Sequence, residues 1–376
     1  MNGSFRAGNL FGIPFFINAS WFLVLGLVTL DYGGFLAASF PDLGAGLPWI
    51  LGLITALLLF ASVLAHELGH SFVALSQGID VKSITLFLFG GLASLERESK
   101  TPGEAFWVAI AGPLVSISLF GILTAINLFA GFTGPIAAIV GLLAYINLVL
   151  ALFNLIPGLP LDGGNILKSI VWKITDNPYK GIIFASRVGQ AFGWIAIASG
   201  FLPIFFSAPP NFWNIIIGWF LLQNAGRSAQ YGSVQDALAG LTAADALIPD
   251  SPIVRATEEL SLREFVNQYV IGKNDDWSRF LVADEEGKLL GAIAIADLNA
   301  VPTSEWPQVT VRELVKPVAN LTTVKEKTSL LEVATLLEQK QVGELTVVSE
   351  NGALVGLVER DSIRRILEQK TEAKPA

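Results

Sequence analysis

Six long apolar runs lie within the first 226 residues of this 376-residue chain. A bilayer core of about 30 Å is crossed by about 20 residues of helix, and lipid offers backbone N–H and C=O groups no partner. Runs of this kind therefore leave few folds open other than a bundle of membrane-spanning helices. The runs are Phe15–Phe40, Pro48–Leu75, Ala105–Ala130, Pro135–Ile156, Ile182–Phe206 and the shorter Phe212–Leu222. Composition agrees: charged residues are 15% of the chain, against about a quarter in a soluble domain. The N-terminus lacks the short apolar core and small-residue cleavage site of a removable signal, so the first run is expected to be an anchor.

Charge divides the chain. Residues 1–226 carry 8 Lys/Arg and 9 Asp/Glu, whereas residues 227–376 carry 16 and 23. The division predicts a membrane domain over 1–226, a linker over 227–236 and a soluble C-terminal part. Nearly all of the net charge of −8 falls in that part, which excludes nucleic acid and an anionic lipid surface as its partners. Cysteine is absent, so disulfides and thiolate metal sites are excluded too.

Basic residues in short loops are retained on the cytoplasmic side. Arg6 precedes the first run, Lys82, Arg97 and Lys100 follow the second, and Lys168, Lys173 and Lys180 follow the fourth, while the alternate loops near Asp42, Gly131–Gly134 and Ala208–Asn211 contain no Lys or Arg. Six crossings then place both termini in the cytoplasm.

Inside the second run stand His66, Glu67 and His70, three ionisable groups where lipid makes each costly. They hold the only two histidines of the chain. Positions i and i+4 share one helix face, so both imidazoles can grip a single Zn²⁺ while Glu67 reaches the water that the ion activates. A plain alternative is a pair of histidines hydrogen-bonded within a helix bundle. Catalytic zinc sites use three protein ligands, and with no further His or Cys the third must be a carboxylate. Asp31 lies near the wrong end of its run and Glu104 at the start of the third; Asp162 follows the fourth run, which enters from the same side as the second. Around it, Pro157, Pro160, Gly158, Gly163 and Gly164 predict an irregular backbone. The bland reading of Asp162 is a solvated residue in a loop that ends a helix.

In order and spacing, Gly12-Ile13-Pro14 before Ser20-Trp21, His66–His70, Ile84–Leu95 with Gly90-Gly91, Ala111-Gly112-Pro113 and Asn154 through Gly164 resemble the site-2 protease family of intramembrane metalloproteases, peptidase family M50. The resemblance implies one Zn²⁺ held by His66, His70 and Asp162, Glu67 as general base, and Asn154 as an oxyanion or substrate-positioning group. On sequence alone Asn154 also reads as a helix-end cap. Asn18, where relatives often have histidine, and Ser116 depart from the family pattern. The partial alternation of Ile84–Leu95 predicts a short membrane-associated β-hairpin, read either as an edge that pairs with an unwound substrate segment or as a plain connection.

After residue 236 the pattern turns soluble α/β and repeats. Glu259–Glu264 recurs at Lys327–Glu332 and Leu289–Ile293 at Leu354–Val358. The two copies, expected at 237–303 and 304–370 with a tail over 371–376, resemble CBS domains. That resemblance implies pairing into one body, adenine nucleotide as a ligand and homodimerisation as an outcome. Nucleotide-binding copies carry Thr or Ser three residues before an Asp; here the pairs are Ala294 with Asp297 and Glu359 with Ser362.

The chain is thus expected to be a polytopic α-helical membrane protein with a tandem CBS module. The expected activity is that of a zinc metalloendopeptidase cutting in or near a transmembrane segment of a membrane-bound substrate, a transcription regulator or an anti-sigma factor among them. The expected setting is a bacterial inner membrane. A CBS-regulated channel or transporter, or a non-catalytic scaffold, are the competing classes.

Overall fold

The computed structural model describes residues 4–87, 90–249, 251–256, 259–271, 279–317 and 321–372. They form two units, Met1–Ser233 and Val234–Ala376.

The first unit opens with strands β1 (Ser4–Leu10) and β2 (Ile13–Asn18), which pair antiparallel. Phe11 (φ 52°) and Gly12 (φ 84°) form the two-residue turn, with the positive φ at both positions that matches strand twist. Helices α1 (Ser20–Ser39) and α2 (Leu47–Ser76) follow, then β3 (Val81–Phe87) and β4 (Gly90–Leu95). Helices α3 (Pro102–Phe129), α4 (Gly134–Asn154), α5 (Asp162–Thr175) and α6 (Pro178–Phe201) come next, and α7 (Phe212–Leu238) closes the unit and ends within the second.

The first apolar run is thereby divided. Its residues Phe15–Asn18 belong to β2, which runs parallel to β3 in a sheet of order β1-β2-β3-β4. Asn18 marks the change: its side-chain oxygen accepts from the Ser20 N–H at 3.0 Å and its amide donates to Ser4 Oγ at 3.1 Å. The expected hairpin is present as β3 and β4, antiparallel with Ile84 opposite Ala93. Leu88 and Phe89 lie outside the described residues. Ile13, Ile79, Val81 and Ile84 bury the sheet against Leu64 and Leu68 of α2.

Among the described residues five helices are long and apolar enough to cross a membrane: α1, α2, α3, α4, and α6 with the turn that extends it to Phe206. The sixth predicted crossing, Phe212–Leu222, is the front of α7. This helix runs back along α6. A Cβ on Gly200 would meet the Asn211 carbonyl at 2.9 Å, one on Gly218 the Gly193 carbonyl at 2.6 Å, and one on Gly232 the Ile182 side chain at 2.9 Å. Glycine lets the two backbones approach this closely, as in membrane helix pairs.

In the second unit two sheets repeat one plan. Strand β5 (Ile253–Arg255) is parallel to β6 (Arg279–Ala283), which pairs antiparallel with β7 (Leu289–Ala294). The short helix α8 (Leu262–Phe265) follows β5, and α9 (Val311–Leu314) and β8 (Lys316–Pro317) follow β7. In the second copy, β9 (Thr323–Lys325), α10 (Leu330–Gln339), β10 (Glu344–Val348) and β11 (Leu354–Glu359) repeat the order, and α11 (Arg360–Glu372) closes it.

The opening segments are exchanged. Leu238, Ala243 and Ala246, which open the first copy, are buried with Leu330, Val347 and Val358 of the second. Val311, which opens the second copy, is buried with Val254, Leu262 and Val282 of the first. Equivalent turns begin the two exchanged segments, Thr242 capped with Asp245 and Thr310 with Glu313.

Candidate metal centre

Helix α2 carries His66 and His70 on one face, one turn apart, and Asp162 is the first residue of α5. The irregular backbone between α4 and α5 delivers Asp162 to them. Glycines make that path possible: a Cβ on Gly163 would lie 2.4 Å from the Leu155 and Ile156 carbonyls, and one on Gly164 2.2 Å from the Leu159 nitrogen. At the head of a helix, the carboxylate also faces the positive end of the backbone dipoles.

The three side chains converge on one point. His66 Nε2 is 3.0 Å from Asp162 Oδ2, His70 Nε2 is 3.3 Å from the same oxygen, and the two Nε2 atoms are 3.3 Å apart. Three ligand atoms arranged tetrahedrally around a Zn²⁺ at about 2.0 Å would stand ~3.3 Å from one another. Among the described residues this is the one group of three His, Cys, Asp or Glu placed to hold a metal ion. The room for an ion is provided by Gly112 of α3, where a Cβ would fall 2.2 Å from His70 Nε2 and 2.6 Å from His66 Nε2. The residues present therefore fit a zinc ion.

The outer ring nitrogens are also held. His70 Nδ1 lies 2.6 Å from the Val108 carbonyl, which can only accept, so the imidazole N–H points there and the Nε2 lone pair points to the shared centre. His66 Nδ1 lies 2.9 Å from Ser116 Oγ, which is fully buried. Such contacts fix ring orientation and tautomer in metal sites.

Glu67 points elsewhere on the same helix, toward β4. The Ala93 N–H donates to its carboxylate, and a Cβ on Gly91 would lie 2.3 Å from its Cγ. A cavity of about 360 Å³ joins these groups, lined by His66, Glu67, His70 and Asp162, by Gly90–Ala93 of β4, and by Asn154. Asn154 ends α4, and its amide donates back to the Leu150 carbonyl at 3.1 Å.

All five residues singled out in the sequence thus line one cavity. Sequence reasoning missed the parts played by Ser116, the Val108 carbonyl, Gly91, Gly112 and the Ala93 N–H. Ser116 was visible only as a departure from a pattern, and Gly112 only as part of Ala111-Gly112-Pro113. Neither signal says that the residue would lie against the histidines.

The second unit has a cleft of about 670 Å³ lined by Arg279, Leu281, Thr322, Glu344, Thr346, Glu359, Arg360 and Asp361. Burial, then Glu344 and Asp361 nearby, push the Glu359 carboxyl above its ordinary value. Arg279 is paired with Glu344 at 3.1 Å, and Arg360 donates to the Leu337 carbonyl at 2.8 Å. In the first copy Asp297 accepts from Lys316 at 2.7 Å and from the Ala294 N–H at 3.0 Å, contacts that hold its carboxyl below the usual range. Ser362, its counterpart in the second copy, is buried.

Comparison with known proteins agrees with both halves. The family model for peptidase family M50 matches residues 54–134 and 129–196, and that for the CBS domain matches residues 311–369. A Synechocystis protein whose name places it among zinc metalloproteases is 61% identical over 98% of this chain and 96% of its own length. The similarly named Rip3 of Mycobacterium tuberculosis is 32% identical over 96% of this chain and 92% of its own. The solved structure of a site-2 protease from Methanocaldococcus jannaschii is 28% identical and covers 60% of this chain and 95% of that one, with a TM-score of 0.43. Kinship along the whole length decides for an enzyme over a channel, transporter or scaffold. This chain belongs to peptidase family M50, the site-2 protease family, as a membrane-integral zinc metalloprotease with a C-terminal CBS module.

Proposed function

We propose that the protein hydrolyses a peptide bond in or beside a transmembrane segment of a membrane-bound protein. The observation that carries this reading is the cavity itself, in which His66, His70, Asp162, Glu67, Asn154 and the β4 edge meet among helices that span lipid. His66, His70 and Asp162 would hold the zinc, which when bound acidifies water and polarises the scissile carbonyl. Glu67 takes the proton from the attacking water and delivers it to the leaving amine, a general acid–base role suited to a carboxylate beside the ligands. The Ala93 N–H keeps that carboxylate aimed. Asn154 turns its amide from Leu150 toward the substrate oxygen, where negative charge develops.

A peptide bond inside a helix is shielded, so the substrate must unwind before it is cut. Strand β4 is the edge of its sheet and forms a wall of the cavity, which suits an extended peptide added as a fifth strand. Such a strand would lie beside Glu67, because β4 packs on that side chain through Gly91. The substrates we have in view are membrane-bound transcription regulators or anti-sigma factors.

Orientation belongs to the same reading. We read the front of α7, which packs back along α6, as a sixth crossing beside the five longer apolar helices; both termini, with Arg6, Lys82, Lys100, Lys168 and Lys180, would then face the cytoplasm of a bacterial inner membrane. Regulation by the CBS pair is proposed because α7 continues without a break into Leu238, which is buried in the second copy. Homodimerisation through the pair, and adenine nucleotide as effector, are the forms to test.

The decisive experiment compares the membrane proteome of cells carrying wild type or Glu67→Gln. Full-length membrane proteins should accumulate in the variant, with their shortened forms confined to wild type; identical proteomes would end the reading. Titrating the purified full-length protein with ATP, ADP, AMP and S-adenosylmethionine tests the effector, and absence of binding removes nucleotide control.

A further inference from the structure

The cavity holds a charge that the catalytic reading does not use. Asp162, Asn165, Lys168 and Trp172 all line the cavity from α5, and it is also lined by Leu95 at the end of β4 and by Glu98 and Ser99 beyond it. The Lys168 side chain is only 17% exposed, which is low for lysine. Its stem is confined because α6 lies against it: a Cβ on Gly181 would sit 2.5 Å from the Lys168 carbonyl and 3.4 Å from its Cγ. Among the described residues the ammonium meets one carboxylate, that of Glu98, at 3.5 Å, and Glu98 is 69% exposed. A long contact to an exposed partner is worth little, whereas a half-buried ammonium gains much from a carboxylate that also excludes water.

We infer that Lys168 is a specificity-determining residue that selects an acidic side chain on the substrate, Glu98 occupying its place until the substrate arrives. The inference rests on the proteolytic reading above. Lys168 lies six residues beyond Asp162 on the same helix, hence about 9 Å along its axis. An extended peptide covers that distance in about three residues. The favoured Asp or Glu therefore stands two to four residues from the bond that is cut. Lys168 guides the peptide into register; it does not touch the reacting atoms.

The test uses the full-length protein purified with zinc, and fluorogenic transmembrane peptides of one apolar sequence. Asp, Asn or Lys is placed singly at each of five positions on either side of the bond that wild type cuts. Wild type should favour Asp over Asn about tenfold in kcat/KM at one position. Lys168→Met should flatten that ratio, Lys168→Glu should transfer the preference to Lys, and Glu98→Gln should sharpen the preference for Asp, all with zinc content unchanged. An Asp-to-Asn ratio equal in wild type, Lys168→Met and Lys168→Glu overturns the inference and leaves the protease standing. Peptides cut equally by wild type and Glu67→Gln, or by neither, overturn both. If Lys168→Glu does not accumulate, the Lys168→Met comparison decides alone.

Discussion

The two units handle charge in opposite ways. In the membrane unit His66, His70 and Asp162 give their ligand atoms to one point, and Glu67 stands beside it. In the C-terminal unit four ion pairs stand apart from one another, Lys316 with Asp297, Arg279 with Glu344, Lys325 with Glu350 and Arg364 with Glu368. Lipid makes every isolated charge expensive, so those that remain gather where one ion can satisfy several. Water makes exposed pairs cheap and nearly independent. Loss of one member should therefore collapse the first arrangement and barely disturb the second.

The largest expected effect is Asp162→Ala, which should leave the purified protein without stoichiometric zinc by metal analysis. Gly112→Ala should do the same without touching a ligand, since its Cβ would fall 2.2 Å from His70 Nε2. Retention of zinc by both variants would break the comparison. Next comes Glu67→Gln, expected to keep zinc while peptide cleavage falls on the order of 10³-fold. Smaller again is Ser116→Ala, which releases one ring of the pair: zinc affinity measured against a competing chelator should weaken about tenfold. Cobalt loaded in place of zinc should report the reoriented imidazole as a shifted visible spectrum.

The smallest effect is set in the second unit. Because the Glu359 carboxyl is raised above its ordinary value near 4.5, the folded protein holds that proton more firmly than the unfolded chain. Its ionisation therefore lowers stability as pH rises through and above that value. At neutral pH Glu359→Gln should stabilise the unit by less than about 1 kcal/mol once solvent screening is allowed for. Thermal unfolding followed at pH 5 and pH 8 checks the sign, with the gain expected to be larger at pH 8.

How readily each unit could be read follows from the same contrast. The metal centre was legible because His66, Glu67 and His70 stand out in an apolar run. The shape around them was not, since Phe15–Asn18 continue the apolar run of α1, and hydropathy does not tell a short buried strand from the start of a helix. Helix α5 was hidden as well, because Gly163-Gly164 and the neighbouring prolines read as loop, whereas tight packing lets the helix begin at Asp162. The repeat announced itself in the second unit, with Ser261 and Ser329 opening equivalent helices. What that unit binds was not legible there, because a ligand cleft depends on which carboxylates a fold leaves facing each other. Asn154 shows the limit on the catalytic side: its place in the cavity was foreseen, its resting bond to Leu150 was not.

The exchanged opening segments of the C-terminal unit have a genetic corollary. Since Leu238, Ala243 and Ala246 seal the far copy and Val311 the near one, a stop codon between the copies would deliver neither half in working order. A copy made alone would lack the segment that seals its core, so the two halves are expected to reach a working fold only within one chain.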